Sequence, residues 1–135
     1  MFQVHHIAIS VSNLEKTEQF YWFFGFKKVF YWNSDDDSLE ISHLKLGNFI
    51  LEVFCFRKYK KLPENSKNLE TDLPEIWVKH FGLKVKDIEQ IRNLLLNKWF
   101  VDNLEITKWR TGIKYFFIKD PDGMLLEIVE DNRDL

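Results

Sequence analysis

Residues 6–15 read HIAISVSNLE and residues 80–89 read HFGLKVKDIE. Each opens on a histidine, continues as a short apolar run, and ends in a helix-capping signal with Glu ninth after the His. The histidines, the valines Val11 and Val85, and the glutamates Glu15 and Glu89 are each 74 residues apart. Near the other end of each half, Leu51-Glu52-Val53 lies over Leu126-Glu127-Ile128 at an offset of 75, so one net insertion reconciles both stretches. We read the chain as an internal duplication. Two strand-to-helix junctions share a capping signal for ordinary reasons, but that does not supply a matching His and a matching Glu.

Working outward, residues 4–11 (VHHIAISV) form a short β-branched run, and the spacing predicts a helix over residues 13–24. Ser12 with Glu15 fits a capping box and Gly25 a helix terminator. Residues 26–32, 39–46 and 49–56 read as three strands, the last two joined by Gly47-Asn48. The first half is therefore β-α-β-β-β. The second opens with a strand over 77–85 and a helix capped by Asp87, with the stripe Ile88, Ile91, Leu95. Strands over 104–109, 114–119 and 124–130 complete it, the last two joined by the turn Asp120-Pro121-Asp122-Gly123. Repeat one spans about 1–57, a linker 58–73, and repeat two about 74–135. The expectation is one α+β domain. The linker lacks a hydrophobic period, its basic run Arg57, Lys58, Lys60, Lys61 reads as a solvated face that is also able to meet an anionic substrate, and Asp35-Asp36-Asp37 reads as a loop.

Length and composition bound the function. The 135 residues suit a single domain. No apolar run approaches the ~20 residues of a membrane span. Nineteen Lys and Arg against 21 Asp and Glu give a net charge of −2, which offers no broad attraction to nucleic acid. Cys55 is the sole cysteine, so no disulfide forms within the chain, and residues 1–10 do not have the pattern of a secretory leader. Both point to a reducing, cytoplasmic setting. Aromatics are 16% of the residues; Trp22, Phe54, Phe56 and Trp109 read first as core, alternatively as the wall of an apolar pocket.

Side chains alternate along a strand, so Val4, His6, Ala8 and Ser10 share one face and the bulkier His5, Ile7, Ile9 and Val11 the other. The same split sets His80, Gly82 and Lys84 against Phe81, Leu83 and Val85. Small residues beyond each of His6 and His80 leave room beside the imidazole. Glu52 and Glu127 each interrupt a strand that is apolar on both sides, and desolvating an unpartnered carboxylate costs several kcal/mol. A lone strand histidine is ordinarily a hydrogen-bonded core residue and a lone strand glutamate an edge residue. One His and one Glu recurring in both halves point instead to a shared cation: His6, Glu52, His80 and Glu127 suit a divalent transition metal with positions left for water or substrate. Zn, Ni, Co, Mn and Fe all accept such ligands. His5 and His43 have no counterpart and are read as structural.

Over nearly its whole length the chain resembles the vicinal oxygen chelate superfamily, which includes glyoxalase I, acyl-CoA epimerases, extradiol dioxygenases, fosfomycin-modifying enzymes and bleomycin-binding proteins. The resemblance is carried by HHIAISVSNLEKTEQFYWFFGF from His5, GNFILEVF from Gly47, HFGLKVKDIEQI from His80 and YFFIKDPDGMLLEIVE from Tyr115. It implies two βαβββ modules whose curved mixed sheets surround a central cavity, commonly completed by a homodimer. It also implies metal ligands at His6, Glu52, His80 and Glu127, a set similar to that of glyoxalase I. The implied chemistry is enediolate-stabilised proton transfer on a small hydroxy-carbonyl or hemithioacetal substrate, in the manner of lactoylglutathione lyase, with Glu127 as the preferred base and Glu52 as the second candidate. Ser10 and Phe56 stand where bacterial glyoxalase I commonly has an Arg and an Asn that contact glutathione, so the resemblance does not carry glutathione over. A drug- or metabolite-binding protein of the bleomycin-resistance type and an acyl-CoA epimerase are the alternatives. Whether the site lies within one chain or is shared across a dimer stays open at this stage.

Overall fold

A computed structural model describes residues 2–99 and 103–133, so the outermost residues of both expected repeats lie outside it. The described elements run β1 (His6–Val11), α1 (Leu14–Phe23), β2 (Lys27–Asn33), β3 (Leu39–Leu46) and β4 (Phe49–Phe56). A single 3₁₀ turn (Glu64–Lys67) and α2 (Leu69–Asp72) follow. The second round is β5 (Phe81–Lys84), α3 (Ile88–Trp99), β6 (Thr107–Lys108), β7 (Lys114–Lys119) and β8 (Leu125–Glu130). The chain divides into two compact units, residues 1–62 and 63–135.

Each unit holds one four-stranded mixed sheet, in the orders β1-β4-β3-β2 and β5-β8-β7-β6. In both, the first strand pairs parallel with the last, and the other pairings are antiparallel. This is the α+β, twice-repeated βαβββ arrangement expected from the sequence. The repeat holds at residue level. Ala8 and His43 flank Glu52 across the first sheet, and Gly82 and Phe117 flank Glu127 across the second. His43 and Phe117 are 74 apart while Glu52 and Glu127 are 75 apart, so the net insertion falls in the β7–β8 turn. There Asp120 Oδ1 accepts the N–H groups of Asp122 (2.9 Å) and Met124 (2.8 Å), and Gly123 takes the left-handed φ of 90°.

Alternation sets each core. Along β4, Leu51, Val53 and Cys55 are buried, and with Ile9, Val11 and Leu44 they meet Leu14, Phe20 and Tyr21 of α1. Thr17, wholly buried on the same helix, returns its hydroxyl to Asn13 O at 2.9 Å. In the second unit Leu126, Ile128 and Phe116 are buried on the sheet, and Ile88 and Leu95 on α3. At about 25 cal/mol per Å² of apolar surface, such side chains are worth roughly 1.5–3 kcal/mol each when fully buried. Glu130, buried among them, accepts the N–H of Ile88 at 3.0 Å and the Lys114 ammonium at 2.8 Å, and so fixes the first turn of α3 to the sheet.

Several expectations need correction. Helix α1 is capped by Asn13, whose side chain accepts from Lys16 N at 2.9 Å, and not by Ser12; Asn is among the best cap residues, and here it sits one residue nearer the helix. Strand β1 begins at His6 and β5 only at Phe81, because the residues before them have no neighbour in the parallel ladder. The weakly patterned sixth strand shrinks to Thr107–Lys108. The linker is partly helical: Asp72, fully buried on α2, accepts the indole N–H of Trp77 at 2.8 Å, and Lys79 reaches its carboxylate and its backbone carbonyl. Trp22, Phe56 and Trp109 are exposed rather than core: Trp22 and Phe56 lie on faces of α1 and β4 turned from the buried layer, and Trp109 lies in the loop after β6.

Candidate functional site

The face of the first sheet turned away from α1 carries His6, Ala8, His43 and Glu52, together with the half-exposed aromatics Phe30, Trp32 and Phe56. On it, His6 Nε2 lies 3.4 Å from Glu52 Oε2. The second sheet repeats this, with His80 Nε2 3.4 Å from Glu127 Oε2. Both glutamates keep the same side-chain exposure, 22%, so neither is sealed in the core and neither is freely hydrated. The structure thus joins the four candidate residues two by two, one pair within each unit.

The first pair has further company that the sequence reading set aside. His43 Nε2 is 3.1 Å from the other oxygen of Glu52, Oε1, and its ring rests against Phe30 with centroids 4.8 Å apart. His5 Nδ1 is 2.9 Å from His6 Nδ1. One of those two nitrogens donates; if it is that of His6, the lone pair of its Nε2 is left facing Glu52. The usable signal for His43 was its register on β3 opposite Glu52, which appears only once the hairpin is paired. In the second unit the neighbour opposite Glu127 is Phe117, whose ring packs edge-on against His80 at 4.9 Å. His80 Nδ1 is buried without a hydrogen-bond partner among the described residues.

Gly82 is the counterpart of Ala8. Its backbone does not need a glycine, but a Cβ there would stand 3.1 Å from Glu127 Oε2. The missing methyl is the room that the carboxylate occupies, as the pattern of small residues predicts.

The donor chemistry fits a divalent metal. Two donors each ~2.0–2.1 Å from one tetrahedral ion stand about 3.4 Å apart, somewhat longer than a good N–H···O bond. Both His–Glu pairs have that separation. The cradle over Gly82, which leaves Glu127 Oε2 its place, is consistent with it. Among the described residues no three or more His, Cys, Asp or Glu side chains converge as a complete metal cluster; Glu52 instead divides its oxygens between His6 and His43.

The remaining expectations fall as follows. Arg57, Lys58, Lys60 and Lys61 are all exposed. Asp36 caps its own turn through Ser34 and Ser38, which hold its carboxyl down at about 2. Ser10 and Phe56, at the positions of the glutathione-contacting residues, are exposed. A cavity of about 720 Å³ within the first unit is lined by residues such as Glu18, Lys28, Tyr31 and Glu40 and by none of the candidate ligands. It lies on the opposite face of the sheet, where Ser42 donates to Glu18. Among the described residues no helix is long and apolar enough to cross a membrane.

Comparison with known proteins gives the wider setting. Among solved structures, a glyoxalase family protein from Enterococcus faecalis is 29% identical, with a TM-score of 0.76 over 95% of this chain and 97% of that one. The trypanothione-dependent glyoxalase I of Leishmania major is 18% identical, with a TM-score of 0.70 over 96% and 87%. The fosfomycin resistance protein FosX of Listeria monocytogenes, as a glutamate-to-glutamine variant complexed with Mn(II) and a dihydroxypropylphosphonic acid, is 14% identical, with a TM-score of 0.65 over 98% and 94%. The last two establish likeness of fold. A search of the curated proteins finds no match. The profile of one family, the Glyoxalase/Bleomycin resistance protein/Dioxygenase superfamily, matches residues 3–128. With this match over most of its length, the chain belongs to that superfamily.

Proposed function

We propose that this protein is a metal-dependent lyase or isomerase of the glyoxalase type, with His6, Glu52, His80 and Glu127 as its metal ligands. The observation that carries this reading is the recurrence of one His–Glu pair, at one separation and one register position, in both repeats. When bound, a divalent cation supplies Lewis-acid polarisation of neighbouring substrate oxygens. The chain's own task is then to orient a small hydroxy-carbonyl or hemithioacetal substrate and to move one proton. Glu127 takes the proton from the acidified carbon and returns it at the adjacent one; Glu52 remains a ligand. The substrate class is a small molecule, glutathione is not required by any residue named here, and the working form is a homodimer.

The test is metal analysis of the purified chain followed by reaction in deuterated water. About one divalent ion per set of four ligands, lost in Glu127→Ala, and incorporation of deuterium at the carbon next to the carbonyl are the expected results. Normal metal affinity after Glu127→Ala would sink the assignment.

A second reading, a binding protein of the bleomycin-resistance type, draws on Phe30, Trp32 and Phe56, exposed on the face that carries Glu52. It needs no metal, so a metal-free chain that binds a flat apolar ligand tightly would favour it. An acyl-CoA epimerase would use the exposed basic run Arg57, Lys58, Lys60 and Lys61 for the CoA phosphates, and exchange of the α-proton of an acyl-CoA would reveal it.

A further inference from the structure

The two halves differ most, near their glutamates, at a single register position: His43 stands opposite Glu52 and Phe117 opposite Glu127. We propose that His43 is a positioning residue that turns Glu52 into a fixed, one-oxygen ligand, and that its replacement by Phe117 in the second repeat leaves Glu127 free to move. This rests on the metal reading above and extends it to a residue outside the four ligands.

The geometry gives the reason. A carboxylate only accepts, so the 3.1 Å contact requires the proton on Nε2 of His43, which donates to Oε1 of Glu52. Oε1 is thereby occupied, and Oε2, 3.4 Å from His6 Nε2, is the oxygen that remains for a cation. The donor is itself held: His43 is three-quarters buried on an inner strand and its ring lies on Phe30. A carboxylate gripped at one oxygen by a ring with few rotamers is a poor proton carrier, because carrying a proton needs an oxygen that can reach the substrate and leave again. Glu127 meets the opposite conditions. Phe117 has no polar hydrogen to offer, and Gly82 sets no side chain against Oε2, where a Cβ would stand only 3.1 Å away. One substitution between duplicated halves thus separates holding from moving.

The test uses the full chain and Co²⁺ alone as the probe, titrated by calorimetry and by its visible absorption. His43→Phe should weaken Co²⁺ binding by about 10–100-fold, the usual cost of removing a group that orients a ligand. Its melting temperature should stay near that of the parent, since a phenyl ring already occupies the matching position in the second repeat. His43→Gln, which keeps a donor at that distance, should recover most of the affinity. In a Glu52→Ala background the His43→Phe penalty should vanish. Parental affinity in His43→Phe, no recovery in His43→Gln, or an equal penalty with and without Glu52 each overturns the proposal while leaving the metal reading intact. Failure of the parent chain to bind Co²⁺ or any other divalent ion overturns both. Should His43→Phe not fold, His43→Gln against His43→Leu makes the same comparison.

Discussion

Gly82 pairs with Glu127 across β5 and β8, and the hydrogen in place of its side chain is what lets Oε2 sit where a methyl group would press on it at 3.1 Å. Gly82→Ala should therefore act on the carboxylate and not on the backbone. Because the glycine lies on the exposed side of the strand, the melting temperature should change little. Metal affinity, measured by chelator competition, should fall by about tenfold or more. An unchanged affinity would mean that Glu127 has space it does not use.

Glu127→Gln separates proton transfer from shape. The amide keeps the size of the side chain and one ligating oxygen but cannot accept the proton. The rate of deuterium incorporation should drop by about 10²–10⁴-fold, the usual contribution of a positioned general base. Glu52→Gln should affect metal retention more than it affects the rate per bound metal. Equal losses of rate in the two variants would contradict the division of labour between the halves.

Stability should depend on pH through Glu130. The Lys114 ammonium, first, and then the Ile88 N–H hold its carboxyl below the ordinary range, while Glu130 in turn raises Lys114. A carboxylate whose pKa is depressed on folding stabilises the native state above its unfolded pKa, and that stabilisation is lost as the pH falls through the folded value. For Lys114 the stabilisation is present below its unfolded pKa and lost as the pH rises through the folded value. Glu130→Gln should lower the melting temperature at pH 7, with the gap to the parent closing in acid. Thermal scans from pH 3 to pH 8 measure this, and a gap that is constant across that range would contradict it.

Asn13→Ala should destabilise the chain by ~1 kcal/mol, the typical cost of deleting an N-cap side chain. Denaturant unfolding followed by circular dichroism measures it. No loss of stability would mean that Ser12 takes over the cap of α1.

The duplicated strand–helix–meander pattern was legible because periodicity, capping and turn chemistry agree in both halves, from Gly47-Asn48 to Asp120-Pro121-Asp122-Gly123. His6 with Glu52, and His80 with Glu127, were legible as pairs because strand alternation puts each on one face and duplication repeats it. His43 was not, since its contact with Glu52 is set by cross-strand register, and no local pattern announces which residue of β3 faces Glu52. The Asp72 anchor was hidden for a similar reason: its partners Trp77 and Lys79 converge on it through the path of the linker, which has no period to read. Trp22 and Trp109 misled because aromatic content says how much ring there is and not where it points.

In each unit the antiparallel meander joins neighbours in sequence, whereas the parallel pairing of β1 with β4 brings Ile7 to Leu51, and that of β5 with β8 brings Phe81 to Leu126. Non-local pairings of this kind pay the largest loop-closure entropy. His6 opens β1, and His80 stands one residue before β5. The glutamate of each pair is joined to its meander by local hairpins, and the imidazole meets it only where the parallel pairing closes, so on the proposed metal reading ion binding would double as a report that this ladder is intact.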